Sequence, residues 1–258
     1  MCILVMDSEP RLSKRERVEL NRALADEIRS NFENLSSQMK ICIDCSFSHI
    51  MNDTEKRSLA VQIQETYSHL RQYGAGRCQV FLASVDEWLK STLAIKGGEL
   101  WAIHSHATPI ESLTESLKLN PIILSPDATE ELSIEDIHDT RNMFVIGGIV
   151  DRVVSRNETA HKAIRLGLRS RRIPTTEGIV RNRIFNIDSV AMFLMRAFSN
   201  QEINSKDELV MLLDQVLPNR KRGALVYEPK KVKSKTVSDE EVSNMIKLDR
   251  YSVIELFR

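Results

Sequence analysis

"MFVIGGIVDRVVSRNE", residues 143–158, decides the fold. A short aliphatic run meets two glycines, recovers Ile149 and Val150, stops on Asp151 and turns basic. Apolar runs of this length, bounded by turn signals, read as strands buried on both faces, as in parallel sheets. Gly147-Gly148 is not G-x-G-x-x-G, no helical pattern starts straight after it, and no Walker lysine follows. What the glycines do permit is close backbone approach, by another segment of the chain or by a flat ligand. Asp151, just past the strand, is either a turn-capping carboxylate or a site residue that serves as general base or orients a substrate amine.

Working outward, the same signature recurs. "KICIDCSF" (40–47), "CQVFLAS" (78–84), "ELWAIH" (99–104) and "PIILS" (121–125) read as strands, and "RIFNI" (183–187) as one more. Helical spacing is expected over 12–35, through Val18, Leu20, Leu24, Ile28 and Phe32, and over 52–73, with Asn52 or Asp53 as N-cap. Further helices are expected at 158–168, 188–199, 205–217 and 238–257. Strands alternating with helices predict an α/β fold whose mainly parallel sheet is covered on both faces. Ligands of such sheets sit at the carboxyl ends of the strands. The loops "DCSFSH" (44–49), "LSPDATEE" (124–131) and "GGIVDRVV" (147–154) fall there. The expected organisation is a helical segment over 1–36, an α/β body over 37–218, and a basic linker and terminal helix over 219–258.

Lys+Arg and Asp+Glu balance at 36 each, so overall charge names no partner, but its distribution does. Nine Lys/Arg face two Glu between Arg152 and Arg183, and seven face one Glu in "NRKRGALVYEPKKVKSK" (219–235). Two basic patches on a neutral chain suit a polyanion met at one face. No apolar run approaches the roughly 20 residues of a membrane span. Four cysteines without a secreted framework, and a start lacking a transit-peptide pattern, make an intracellular location the expectation, in cytoplasm or nucleus with the mitochondrion open. Cys42 and Cys45 lie three apart on a strand and face opposite ways, so no metal is expected there, with His104-x-His106 the sole complement. H-E-x-x-H and G-x-S-x-G are absent. Asp44, an acid inside "ICIDCSF", needs partners if it is buried and ionised, and is either a hydrogen-bond hub or a site residue.

Five motifs in order, "IDCSF" (43–47), "LSPDATEEL" (124–132), "FVIGGIVD" (144–151), "RRIP" (171–174) and "VLPNRKR" (216–222), resemble the SPOUT-class tRNA N1-methyltransferases that modify the purine at position nine. The resemblance implies a C-terminal trefoil knot that cradles S-adenosylmethionine, a monomer, and a tRNA substrate. Carried over by position, Leu124, Ser125, Gly147, Gly148, Arg152, Arg156, Ile173, Pro174, Arg183, Ile184 and Phe185 would hold the cofactor. Asp151 would be the base, and Asp44 a carboxylate near the target purine. Arg165, Arg169, Arg171 and Arg172, with Arg220, Lys221 and Arg222, would meet RNA phosphates. The sequence departs from the family pattern at Ser48, where an acid is usual, over 152–158 and over 175–188. Guanine or adenine as target stays open. A tRNA-binding subunit with little catalysis, supporting a processing complex, is the competing reading, and a generic nucleotide-using α/β enzyme is a third.

Overall fold

The computed structural model describes residues 13–30, 36–150 and 157–219. Six strands, β1 (Met39–Asp44), β2 (Cys78–Ala83), β3 (His104–Ser105), β4 (Asn120–Leu124), β5 (Asn142–Gly147) and β6 (Arg169–Arg171), form one sheet. Its order is β3-β2-β1-β5-β4-β6, and every pairing is parallel. β1 and β2 are buried along their whole length, as continuous apolar runs require.

Side-chain alternation splits the core into two clusters. Ile41, Ile43, Val80, Leu82, Ile122, Leu124, Phe144 and Ile146 join the larger one. It is closed by α2 (Asp53–His69), α3 (Glu87–Ile95), α5 (Ile134–His138), α8 (Ile187–Ser199) and α9 (Lys206–Val216). The intervening Cys42, Phe81, Ile123, Met143 and Val145 meet Ile110 and Leu113 of α4 (Ile110–Leu117) and Ala163 of α6 (Glu158–Leu166). Each large apolar side chain so buried contributes roughly 1.5–3 kcal/mol over leaving it in water. The clusters also answer the thiol question: Cys42 belongs to one and Cys45 to the other.

Local signals set the helix ends. Asn52 with Glu55, Ser133 with Asp136, and Ser205 with Glu208 form capping boxes at α2, α5 and α9. Gly167, at φ 64°, ends α6 in the left-handed conformation that costs glycine least. The first helix, α1, runs Lys14–Ser30, and its Val18 and Leu20 are exposed rather than packed.

Three expectations are corrected. The strand expected at 99–104 is a 3-10 turn over Gly98–Leu100, and only His104–Ser105 pair with β2. "RIFNI" is not a strand: Arg183 makes one antiparallel bridge to Asn219, and α8 starts at Ile187. β6, three residues of "RSR", follows the helix expected at 158–168, where only a basic patch was expected. The helix α7 (Glu177–Asn182) fills the segment before Arg183. After β6 the chain must recross β4 and β5 to reach α8, which packs on β1 and β5. Residues 151–156 and the helix expected at 238–257 lie outside the described residues.

Candidate active site

From β1 the chain steps to β2 and β3 on one side, then fills β4 and β5 on the other. The switch point lies between β1 and β5, where a parallel sheet opens a crevice beyond its carboxyl ends. Asp44 ends β1 and sits in register with Gly147 of β5, while Leu124 of β4 pairs with Ile146 and with Arg171 of β6. The loops singled out from sequence therefore converge.

Asp44 is 1% exposed. Its Oδ2 accepts from Lys162 Nζ at 2.5 Å, and its Oδ1 from the Ser46 amide at 3.2 Å. Lys162 also donates to Ser46 Oγ at 3.0 Å and lies over the Phe47 ring, 5.5 Å from its centroid. A buried carboxylate is tolerated here because it has a cation and an amide as partners. Burial first, then Asp44 close by, pushes the Cys42 and Cys45 thiols well above their ordinary range. Both are inert as nucleophiles.

The glycines answer to the chain itself. A Cβ on Gly148 would stand 2.7 Å from the Asp44 carbonyl oxygen, which accepts the Gly148 amide at 2.9 Å. A Cβ on Gly147 would run into the Thr159 methyl of α6. Both glycines thus admit close approach of β1 and α6 to the end of β5, the first of the two readings open from sequence.

On the other flank Ser125 is buried. Its amide donates to the Arg171 carbonyl at 2.9 Å, and its hydroxyl accepts from the Asp127 amide at 3.3 Å. With its side-chain amide oriented by the hydrogen-bond network, Asn157 donates to both Asp127 oxygens at 2.9 and 3.1 Å. That clasp ties the loop after β4 to the start of α6. Beyond β6, Ile173 packs on the larger core cluster and Pro174 is buried. A concavity follows, lined among the described residues by Thr175, Thr176, Glu177 and Val180.

Residues 7–222 match the sequence profile of the tRNA (guanine(9)-N(1))-methyltransferase TRM10/TRM10A family. The chain belongs to this family. Curated relatives include the tRNA (guanine(9)-N1)-methyltransferases of Eremothecium gossypii, 27% identical over 83% of this chain and 69% of theirs, and of Kluyveromyces lactis, 25% identical over 89% and 76%. A third, from Debaryomyces hansenii, is 28% identical, and the chain spans 60% of its length. Among solved structures, the spTrm10–SAH complex superposes with a TM-score of 0.59 at 25% identity, covering 69% of this chain and 93% of the other. A dual specific Trm10 from Thermococcus kodakaraensis superposes with a TM-score of 0.54 at 22% identity, covering 68% and 99%. The SPOUT α/β fold expected from the motifs is therefore the one observed.

Within this TRM10-family chain, the residues expected to bind RNA divide. Arg165 is exposed on α6. Arg169 and Arg171 instead pair with Asp136 at 3.3 and 2.9 Å, and Arg171 also with Glu130 at 2.7 Å. Arg172 pairs with Glu131 at 2.9 Å and donates to the carbonyls of Ala128 and Thr129. Arg171 and Arg172 clamp the loop after β4 onto β6, and Arg169 and Arg171 tie α5 to it. Each also has an acidic partner within the protein, which a count of basic residues does not reveal.

The expected cofactor residues divide as well. Leu124, Ser125, Gly147, Gly148, Ile173 and Pro174 gather around the carboxyl ends of β5, β4 and β6. The Arg183 side chain turns away, donating to Asp214 at 2.8 Å and to Asn219, and the Ile184 amide donates to the Pro218 carbonyl at 3.0 Å. Ile184 and Phe185 are partly exposed. Asp151, Arg152, Arg156, Arg220, Lys221 and Arg222 lie outside the described residues. Sequence reading missed Lys162 and Ser46 as partners of Asp44. The signal was present only in part: a buried Asp demands a cation, but sequence spacing does not say which of many.

Proposed function

We propose that this protein transfers a methyl group from S-adenosylmethionine to N1 of guanine at position nine of tRNA. The reading is carried by the family match over residues 7–222, supported by the convergence of the loops at the carboxyl ends of β1, β4, β5 and β6. Leu124, Ser125, Ile173 and Pro174 would hold the cofactor there. The lining of the adjoining concavity fits it: the apolar surface of Val180, with Thr175, Thr176 and the acidic Glu177, suits an uncharged adenosine joined to a cation. When bound, the cofactor supplies an electrophilic sulfonium methyl.

What this chain adds is placement and a proton acceptor. Holding N1 in line with the methyl removes much of the entropic part of the barrier. Guanine N1 carries a proton that must leave, and Asp151, one residue beyond the described end of the β5 segment, takes it in this reading. Adenine N1 carries none, so an adenine substrate would not need that carboxylate. The purine must be unstacked to enter the crevice. Arg165 and the basic run 219–235 would meet the phosphates, Arg169, Arg171 and Arg172 each having an acidic partner within the protein.

The test uses unmodified tRNA transcripts with G or A at position nine and labelled S-adenosylmethionine, with Asp151→Asn alongside and the product mapped by mass spectrometry. N1-methylguanine at position nine, with turnover lowered about 100-fold or more by Asp151→Asn, is expected. Methylation of A, or indifference to that substitution, removes the base role from Asp151. Tight tRNA binding without transfer moves the protein to the binding-subunit reading.

A further inference from the structure

Lys162 is a buried ionisable group that the proposed reaction leaves without a task. It is 7% exposed and projects from α6 to the carboxyl end of β1. The ammonium has three N–H groups. Asp44 Oδ2 and Ser46 Oγ accept at 2.5 and 3.0 Å, and the remaining side faces the Phe47 ring. Both oxygens of Asp44 are engaged too, by Lys162 and by the Ser46 amide. A carboxylate so committed is poorly placed to take a proton from a purine. It is well placed to hold geometry.

Four contacts surround this pair. The Gly148 amide bonds to the Asp44 carbonyl, Thr159 of α6 lies against Gly147, the Val150 amide reaches Met51 Sδ at 3.4 Å, and Phe47 lies beneath the ammonium. The ends of β1 and β5 and the first turns of α6 therefore meet at one ion pair, at the edge of the crevice.

We infer that Lys162 is a positioning residue for the transfer reaction, acting through Asp44 and Ser46 to fix the end of β1 against β5, and that Asp44 serves as its anchor and not as a base. This rests on the methyl-transfer reading above. A purely structural pair would matter only through stability, whereas a positioning pair must matter to turnover after stability is restored.

The experiment compares wild type, Lys162→Met, Asp44→Asn and the double variant. Each single variant strands one buried charge and lowers Tm; the double variant strands none, and its Tm returns close to wild type. Turnover of the double variant nevertheless stays about tenfold or more below wild type, with KM for tRNA and for S-adenosylmethionine within about threefold, as expected when reacting groups are misplaced by a fraction of an ångström. Amide exchange at Gly148, read without any substrate, is expected to be about tenfold or more faster in the double variant than in wild type despite the restored Tm. Recovery of turnover and of Gly148 protection together with Tm overturns the inference and leaves a structural pair. Wild type that binds tRNA but transfers no methyl group to any transcript overturns the methyl-transfer reading first, and the positioning role with it.

Discussion

The crevice has two flanks built from the same chemistry, carboxylates against cations, and they are held in opposite ways. On the β1 side one pair, Asp44 with Lys162, is sealed at 2% and 7% side-chain exposure. On the β6 side Arg169, Arg171, Arg172 and Lys206 share Glu130, Glu131 and Asp136 in a network whose members range from 12% to 69% exposed. Burial decides what each arrangement can do. A sealed pair has no water to replace a lost partner, so it is brittle and specific. A wet network shares its loads, and water replaces any one member. The flank that meets the end of β5 is the brittle one.

Removing one member of the sealed pair gives the largest effect expected in this molecule. Lys162→Met leaves an uncompensated carboxylate and should destabilise the fold by about 3–5 kcal/mol in urea unfolding. A loss under about 1 kcal/mol would mean that Asp44 is relieved by solvent and that the two flanks do not differ. Gly148→Ala comes next. Its Cβ would stand within 3.3 Å of the Asp44 carbonyl and the Cys45 Cα, all backbone, so nothing nearby can swing aside. Overpacking of this kind costs about 3 kcal/mol. Gly147→Ala meets a side chain instead, and pairing it with Thr159→Ser should recover most of its loss, whereas no side-chain change should rescue Gly148→Ala.

The sequence made the sheet legible and the flanks only partly so. β1, β2, β4 and β5 were readable because a strand buried on both faces must be apolar at nearly every position, and "KICI", "CQVFLA" and "FVI" are. β6 was not readable, since "RSR" is polar; it is a strand because its edge pairs with β4 while its arginines reach sideways to Asp136 and Glu130. β3 failed for a related reason, as only two residues pair at that edge. Asp44 stood out in its apolar run, and of the two roles it left open the structure shows the hydrogen-bond hub. Lys162 was hidden because charge along the chain does not show which cations point inward. The same blindness hid the ion pairs of Arg171 and Arg172 with Glu130, Asp136 and Glu131.

On the wet flank Asp136 should matter most. It accepts from Arg169 and Arg171 and closes the capping box of α5, at 12% side-chain exposure. Asp136→Asn keeps the shape, removes the charge, and should cost about 1–2 kcal/mol, read by thermal unfolding. It should also weaken S-adenosylmethionine binding modestly, because the loop carrying Ser125 and Asp127 is clamped through Arg171 and Arg172 to the segment leading to Pro174. A change in stability with cofactor affinity untouched would separate the wet flank from the crevice altogether.

Glu131 gives the smallest effect and the sharpest contrast. Hydrogen bonds from Lys206 and Arg172 hold its carboxyl below the ordinary glutamate value, outweighing the slight opposing effect of burial. A depressed carboxyl contributes stability above its unfolded-state pKa, 4.5, and loses it as pH falls through the lower folded-state value. Since both partners are solvated, Glu131→Gln should cost no more than about 1 kcal/mol at neutral pH. It should cost progressively less as the solution is acidified below 4.5, and less again in molar salt, where screening shortens the reach of charge to about 3 Å. Lys162→Met should keep its full cost in the same salt, because no ions reach the sealed pair. If salt erases both losses alike, burial is not what distinguishes the flanks, and the brittle character assigned to the β1 side goes with it.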